Sequence, residues 1–164
     1  MTTRILFVCH GNICRSPMAE GMFRHLAHQH GRAAQYFIDS AGTHAEHIGE
    51  PPDHRMQATA RRHGVTLSGR ARQVSASDLD HFDLVIAMDR WNLRNLERLA
   101  RDNAERAKIR LLRHYDPTAP DADVPDPWYG GPEGFEEVYD IVERSCTHLF
   151  NTLETHAQRP PIIT

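Results

Sequence analysis

No apolar stretch in these 164 residues approaches the roughly 20 that a membrane-spanning helix requires, so the sequence does not read as a membrane protein. The N-terminus offers Arg4 and then only five apolar residues, Ile5 to Cys9, too few for the core of a secretory signal. Cytoplasmic residence is the expectation. Cysteine is scarce: Cys9, Cys14 and Cys146 are three, an odd number that excludes a fully paired disulfide framework and suits a reducing compartment. Any disulfide here is expected to be reactive rather than structural. A basic stripe interleaved with aromatics is also missing; 19 Lys and Arg stand against 22 Asp and Glu, net charge −3, which argues against nucleic acid as a partner. Metal-ligand spacing is absent as well. Twelve histidines are many, yet "HLAHQH" (25–30) matches no zinc pattern with a third ligand nearby and reads as a solvated helix end. Neither a metal nor another cofactor is expected.

What is present is a chain of one-domain length, with 40% hydrophobic and 25% charged residues, ordinary for a soluble globular fold. One domain is expected over residues 1–158, followed by a short tail over 159–164. Short apolar runs at Ile5–Cys9, Tyr36–Ile38, Leu84–Met88 and Ile109–Leu112 alternate with segments of helical spacing. That alternation predicts an α/β fold of three layers, a parallel sheet with helices on both faces. Ala19, Met22, Phe23, Leu26 and Ala27 share one face of a first helix, opened by Pro17 and capped by Ser16. Further helices are expected at about Pro52–His63, Ser75–Asp80 and Trp91–Arg101. From Pro132, the residues Phe135, Val138, Val142, Cys146, Leu149 and Leu153 recur at three-to-four-residue steps and mark a long closing helix. Cys146 then packs as a small core residue. Before that helix runs an irregular, proline-rich segment, 116 to 134; loops of that length inside a compact domain are usually functional or disordered, and the "DPWYGG" centre, two aromatics beside an acid, favours function.

Chemistry concentrates in the turn after the first run, Cys9-His10-Gly11-Asn12-Ile13-Cys14-Arg15-Ser16. If this loop curls, its backbone N–H groups and the positive end of the following helix make an anion cradle, with the Arg15 fork gripping two oxygens of a tetrahedral dianion. The same field stabilises a thiolate at Cys9, which can attack phosphorus and form a covalent cysteinyl-phosphate. Loop amides and Arg15 hold the charge of the transferring group where it lies in the transition state. The departing oxygen needs a proton, and the second step needs a base. Asp126, stiffened by Pro125 and Pro127, can serve as both, and Trp128 and Tyr129 beside it can line a slot for a flat aryl group such as phosphotyrosine.

With these motifs in hand, the chain resembles the low-molecular-weight protein tyrosine phosphatases, bacterial ones above all. The resemblance runs through "VCHGNICRSPMAE" (8–20), "DSAGT" (39–43), "RARQV" (70–74), "FDLVIAMD" (82–89), "VPDPWYGG" (124–131) and "VYDIVERS" (138–145), in the family's order. It implies a four-stranded parallel sheet of flavodoxin-like topology, with Cys9 as nucleophile, Arg15 as phosphate clamp and Asp126 as general acid and base. His10, Gly11, Asn12, Ile13, Cys14 and Ser16 complete the phosphate-binding loop. By the same resemblance Ser16 bonds the Cys9 thiolate, Asn12 and Ser40 brace the loop, with Asn12 in a left-handed conformation, and Cys14 forms a reversible, protective disulfide with Cys9. The implied partner is a phosphotyrosine-containing protein, such as a bacterial tyrosine kinase or a host signalling protein, with phosphate and vanadate-like anions as small ligands.

Two departures stand out. Many relatives place a supporting histidine just before the "RARQ" stretch, where this chain runs from Gly69 into Arg70. The rim loop "THAEHIG" (43–49) offers Glu46 and His47 where some relatives carry an aromatic. Rival readings are an arsenate reductase of the same fold, a protein-arginine phosphatase and a non-catalytic phosphopeptide-binding module. Residues 82–100 hold no cysteine for the reductase's disulfide relay, Ile13 replaces the threonine typical of arginine phosphatases, and the intact set Cys9, Arg15, Asp126 opposes a silent module.

Overall fold

The computed structural model describes residues 2–158, with the side chains of Tyr129 and Gln158 excepted. The expected tail 159–164 lies outside the described residues. Strands β1 (Thr3–Cys9), β2 (Tyr36–Gly42), β3 (Leu84–Ala87) and β4 (Ile109–Leu111) form one sheet in the order β2-β1-β3-β4. Every pairing is parallel. Helices are α1 (Arg15–Gln29), α2 (His54–Arg62), α3 (Ala76–His81), α4 (Arg90–Leu99), α5 (Asn103–Arg106) and α6 (Pro132–Gln158).

Because side chains alternate across a strand, β1 feeds two cores. Ile5, Phe7 and Cys9 face α1, α2 and α6, where Met22, Phe23, Met56, Ala60, Val142 and Phe150 are buried. Leu6 and Val8 face the other way, toward Leu79 of α3 and Leu96 of α4. The three-layer expectation holds, and each strand lies where its apolar run was read. Phe23 knits the larger core, its ring 5.0 Å from Tyr36, 5.8 Å from Phe150 and 6.1 Å from Phe7. Cys146 is fully buried there, as the helical spacing implied.

Helix ends differ from the sequence reading. Ser16 does not cap α1; the helix begins at Arg15 with Cys14 at the cap position and no side-chain cap bond, because the Ser16 hydroxyl turns back to Cys9 and Asn12. Pro17 still lies in the first turn, where its missing N–H has no intrahelical partner to lose. α2 starts at His54, capped by Asp53, whose carboxylate accepts from the N–H groups of Arg55 and Met56 at 2.8 and 3.4 Å. Ser75 caps α3 rather than opening it, and α4 stops at Leu99. The one-turn α5 carries too little periodicity to be seen in the sequence.

Strand order reverses between β1 and β3, which opens a crevice at their C-terminal ends. The loop after β1 and the residues after β3 meet there. The long proline-rich segment is anchored at its start by Asp116, fully buried and bound by Arg144 at 2.8 Å and Arg113 at 3.0 Å. These guanidiniums, with Thr118, hold the Asp116 carboxyl well below the usual carboxylate range. The segment is therefore tied to α6 before it crosses the crevice.

Candidate active site

The loop 9–15 leaves β1 and closes on the start of α1. Its carbonyls are taken up from outside: Cys9 O accepts from Thr43 N at 2.9 Å, His10 O from His44 N at 3.0 Å, Ile13 O from Asp53 N at 2.8 Å and Cys14 O from Met18 N at 3.1 Å. Loop N–H groups are what remains to meet an anion, at the positive end of a 15-residue helix. The curl requires Asn12 at φ 60°, a left-handed conformation that its short polar side chain tolerates. Gly42 of β2 must be glycine, because a Cβ there would stand 2.8 Å from His10 O and 3.1 Å from Asn12 N.

Arg15 lies 3% exposed beneath the loop. Its Nη1 donates to Asp89 Oδ2 at 2.7 Å and to Val124 O at 3.0 Å, while Nη2 stands 3.7 Å from Asp126 Oδ2. Burial works against the guanidinium charge, but the Cys9 sulfur, Asp89 and Asp126 outweigh it and hold Arg15 above its ordinary value. Val124 also donates its N–H to Met88 O at 2.8 Å, so the proline-rich segment docks on the tip of β3 two residues before Asp126. Asp126 itself opens a 3₁₀ turn over Pro127–Tyr129 and accepts from Trp128 N at 3.0 Å. The stiffness read from its flanking prolines is realised as this capped turn.

These elements enclose a cavity of about 220 Å³ lined by Cys9, Arg15, Asp126, Glu46, His47 and Trp128, together with His10, Gly11, Ile13 and Cys14. His47 sits directly over Gly11, where a Cβ would come 2.8 Å from its ring, and its own ring is 5.5 Å from Trp128. His10 stacks on His44 at 3.9 Å with Nε2 3.6 Å from Glu46, and His47 pairs with Glu50. Arg55, bound to Asp53, lies 5.1 Å from the Trp128 ring and 4.7 Å from Phe135. Burial pushes the Cys14 thiol up, with Asp53 and Cys9 adding to it. The side chain of Tyr129, expected at the rim, lies outside the described residues.

Behind the cavity, Ser16 Oγ is 3.0 Å from Cys9 Sγ and accepts from Asn12 Nδ2 at 2.8 Å, and the same Nδ2 donates to Ser40 Oγ at 2.9 Å. Sequence reasoning missed Asp89, the Val124 carbonyl, His44 and Arg55. Of these only Asp89 carried a signal, as an acid at the end of a strand flanking the crevice. Among the described residues no group of three or more His, Cys, Asp or Glu is placed to hold a metal, and no helix is long and apolar enough to cross a membrane.

A cysteine–arginine anion loop at the strand ends of a 2-1-3-4 sheet narrows the choice to few families, and residues 4–159 match the model of the low molecular weight phosphotyrosine protein phosphatases. The chain belongs to this family. It is similar to the low molecular weight protein-tyrosine-phosphatase of Streptomyces coelicolor, 49% identical over 151 residues that cover 91% of this chain and 92% of the relative. A crystal structure of the protein tyrosine phosphatase from Entamoeba histolytica, with Hepes in the active site, superposes with a TM-score of 0.91 at 36% identity, covering 95% and 99% of the two chains. Vibrio vulnificus Wzb in complex with benzylphosphonate superposes with a TM-score of 0.80 at 25% identity, covering 93% and 99%. This phosphatase is thus an enzyme of the class read from its motifs, with the flavodoxin-like sheet expected of it, and its relatives support that reading rather than the rival ones.

Proposed function

We propose that this phosphatase hydrolyses phosphotyrosine in proteins, in the cytoplasm, with Cys9 as nucleophile, Arg15 as phosphate clamp and Asp126 as general acid and then base. The observation that carries the proposal is the meeting of Cys9, Arg15 and Asp126 in one cavity, although Asp126 arrives from a segment 111 residues beyond Arg15 in the chain. In the first step the Cys9 thiolate forms an S–P bond as the ester O–P bond breaks, and the departing phenolic oxygen takes the proton of Asp126. In the second step Asp126, now a carboxylate, takes a proton from water as its oxygen attacks phosphorus; the S–P bond breaks and the thiolate returns. Arg15 cannot tilt away during these steps, because Asp89 and Val124 hold it in place. His47 and Trp128 flank the opening and suit a flat aryl ester. The benzylphosphonate held by the Wzb relative joins an aryl ring to a tetrahedral anion in the same way.

A purified preparation is expected to hydrolyse phosphotyrosine peptides in the presence of EDTA and to be inhibited by vanadate. Asp126→Asn is expected to slow phenyl phosphate, a poor leaving group, by about 10²-fold or more, and p-nitrophenyl phosphate far less. Steady-state assays on both esters check this; equal losses would remove Asp126 from the acid role. The cellular substrate, such as a tyrosine kinase or a host signalling protein, is reached by trapping with an inactive Cys9 variant.

Cys14 lines the same cavity as Cys9, and we assign it a protective role. Peroxide oxidises Cys9 to a sulfenic acid, Cys14 sulfur attacks it with loss of water, and the resulting disulfide is reopened by added thiol. Peroxide-treated Cys14→Ala is expected to stay inactive after dithiothreitol while the native enzyme recovers; equal recovery of both would end this assignment.

A further inference from the structure

The hydrogen bonds behind Cys9 continue past Ser40 to a carboxylate that the reaction scheme above does not use. Glu20 lies on α1, 9% exposed, and accepts from Ser40 Oγ at 2.5 Å through one oxygen. The other oxygen accepts from Arg24 Nη2 at 2.8 Å, and Arg24 also donates to Ile38 O at 3.0 Å. At the opposite side of the network, the backbone N–H of Arg72 donates to Asn12 Oδ1 at 3.0 Å. We propose that Glu20, held by Arg24, is a positioning residue of this phosphatase: together with the Arg72 backbone N–H at the other side, it fixes the direction of the hydrogen bonds in the path Glu20–Ser40–Asn12–Ser16–Cys9.

Direction matters because serine and asparagine can each donate or accept, whereas both ends of this path are one-way. A carboxylate paired with arginine only accepts, so Ser40 gives it its single proton and keeps lone pairs for Asn12. A backbone N–H only donates, so Asn12 turns Oδ1 toward Arg72 and Nδ2 toward the two serines. Ser16 then receives a bond from Asn12, and its own proton goes to the nearer acceptor, Cys9 Sγ at 3.0 Å rather than Ala41 O at 3.4 Å. A hydroxyl is thereby aimed at the sulfur. It supports the thiolate before attack and again as the sulfur leaves the phosphoenzyme. Gly69, in the stretch where many relatives place a supporting histidine and this chain has none, has φ +90° and borders a cavity of about 50 Å³ that Asn12, Glu20 and Ser40 also line. With no side chain at that position, Ser40 reaches Glu20 directly.

The inference rests on the nucleophile role proposed for Cys9, and its test separates the two. Glu20→Gln keeps the size of the side chain but turns its oxygen toward Arg24 and its amide toward Ser40, so that Ser40 loses its acceptor and the path loses its single direction. Losing a hydrogen bond to a charged group predicts a kcat on p-nitrophenyl phosphate down by about tenfold at little-changed KM. Iodoacetate alkylation of Cys9, which needs no turnover, is expected to slow by a similar factor at pH 6, with its pH profile moved upward. Ser40→Ala, a smaller change at the next link, is expected to do the same, and the double variant to be no slower than either alone. Alkylation and kcat within twofold of the parent for Glu20→Gln, or additive losses in the double variant, would overturn the proposal. If Glu20→Gln fails to fold, Ser40→Ala alone decides on the same readouts. A parent enzyme that alkylates rapidly yet leaves phosphotyrosine peptides intact would overturn the proposed function and not this inference.

Discussion

Cys9→Ser is expected to lower turnover of an aryl phosphate by roughly 10⁴-fold or more, the scale seen when a covalent nucleophile is removed. A serine hydroxyl is a much weaker nucleophile at neutral pH, and among the described residues the side-chain hydrogen-bond partner of Cys9 Sγ is a hydroxyl, Ser16 Oγ at 3.0 Å, and not a base. The replacement leaves the cavity almost unchanged in shape, because Cys9 is 2% exposed at the end of a strand whose register is set by seven pairings with β2. Phosphopeptide binding is therefore expected to survive while a cysteinyl-phosphate vanishes from the mass spectrum of acid-quenched reactions. Full activity in Cys9→Ser would refute the mechanism.

Arg15→Lys is expected to be nearly as damaging, about 10²- to 10³-fold in kcat, although the charge is kept. The guanidinium is a planar fork that bonds Asp89 and Val124 on one side and offers its remaining N–H groups to the cavity. A lysine ammonium is a point charge that cannot satisfy Asp89 and still grip two phosphate oxygens. Arg15→Ala would go further, leaving the Asp89 carboxylate without its 2.7 Å partner at a cost of about 3 kcal/mol, the scale of a broken buried pair. The checks are kcat for the lysine variant and the thermal midpoint for the alanine variant. A lysine variant within twofold of the parent would show that the fork is not needed.

How much of this site was legible depended on how far apart its parts lie in the chain. The Cys9–Arg15 loop was readable because strand, turn and helix follow one another within about 25 residues, and the anion cradle is a property of that local order. The left-handed Asn12 came from the family resemblance and is present at φ 60°. Asp126 was readable as an acid stiffened by prolines, but nothing local placed it 3.7 Å from Arg15. Asp89 and Val124 were not assigned at all: their bonds to Arg15 span 74 and 109 residues of sequence, and such pairs exist only once the sheet has ordered its strands. Ser16 was misread as a helix cap, since a serine before a helical run normally bonds its own helix and only the curled loop brings Cys9 and Asn12 closer. The same holds for Glu20, which reads from helical spacing as one more acid.

The sequence by itself determined the alternating α/β order, the two cores set by the two faces of β1, and the loop of thiol and arginine that opens on the C-terminal end of that strand. These follow from side-chain periodicity and from backbone groups that are neighbours along the chain. Only the tertiary structure decided what holds the loop in working shape: Asp89 and Val124 on Arg15, Arg72 on Asn12, and Glu20 on Ser40. The physical reason is that a hydrogen bond has direction and a reach of about 3 Å. Residue types state what a group can donate or accept, and the fold alone states which group is near enough to receive it.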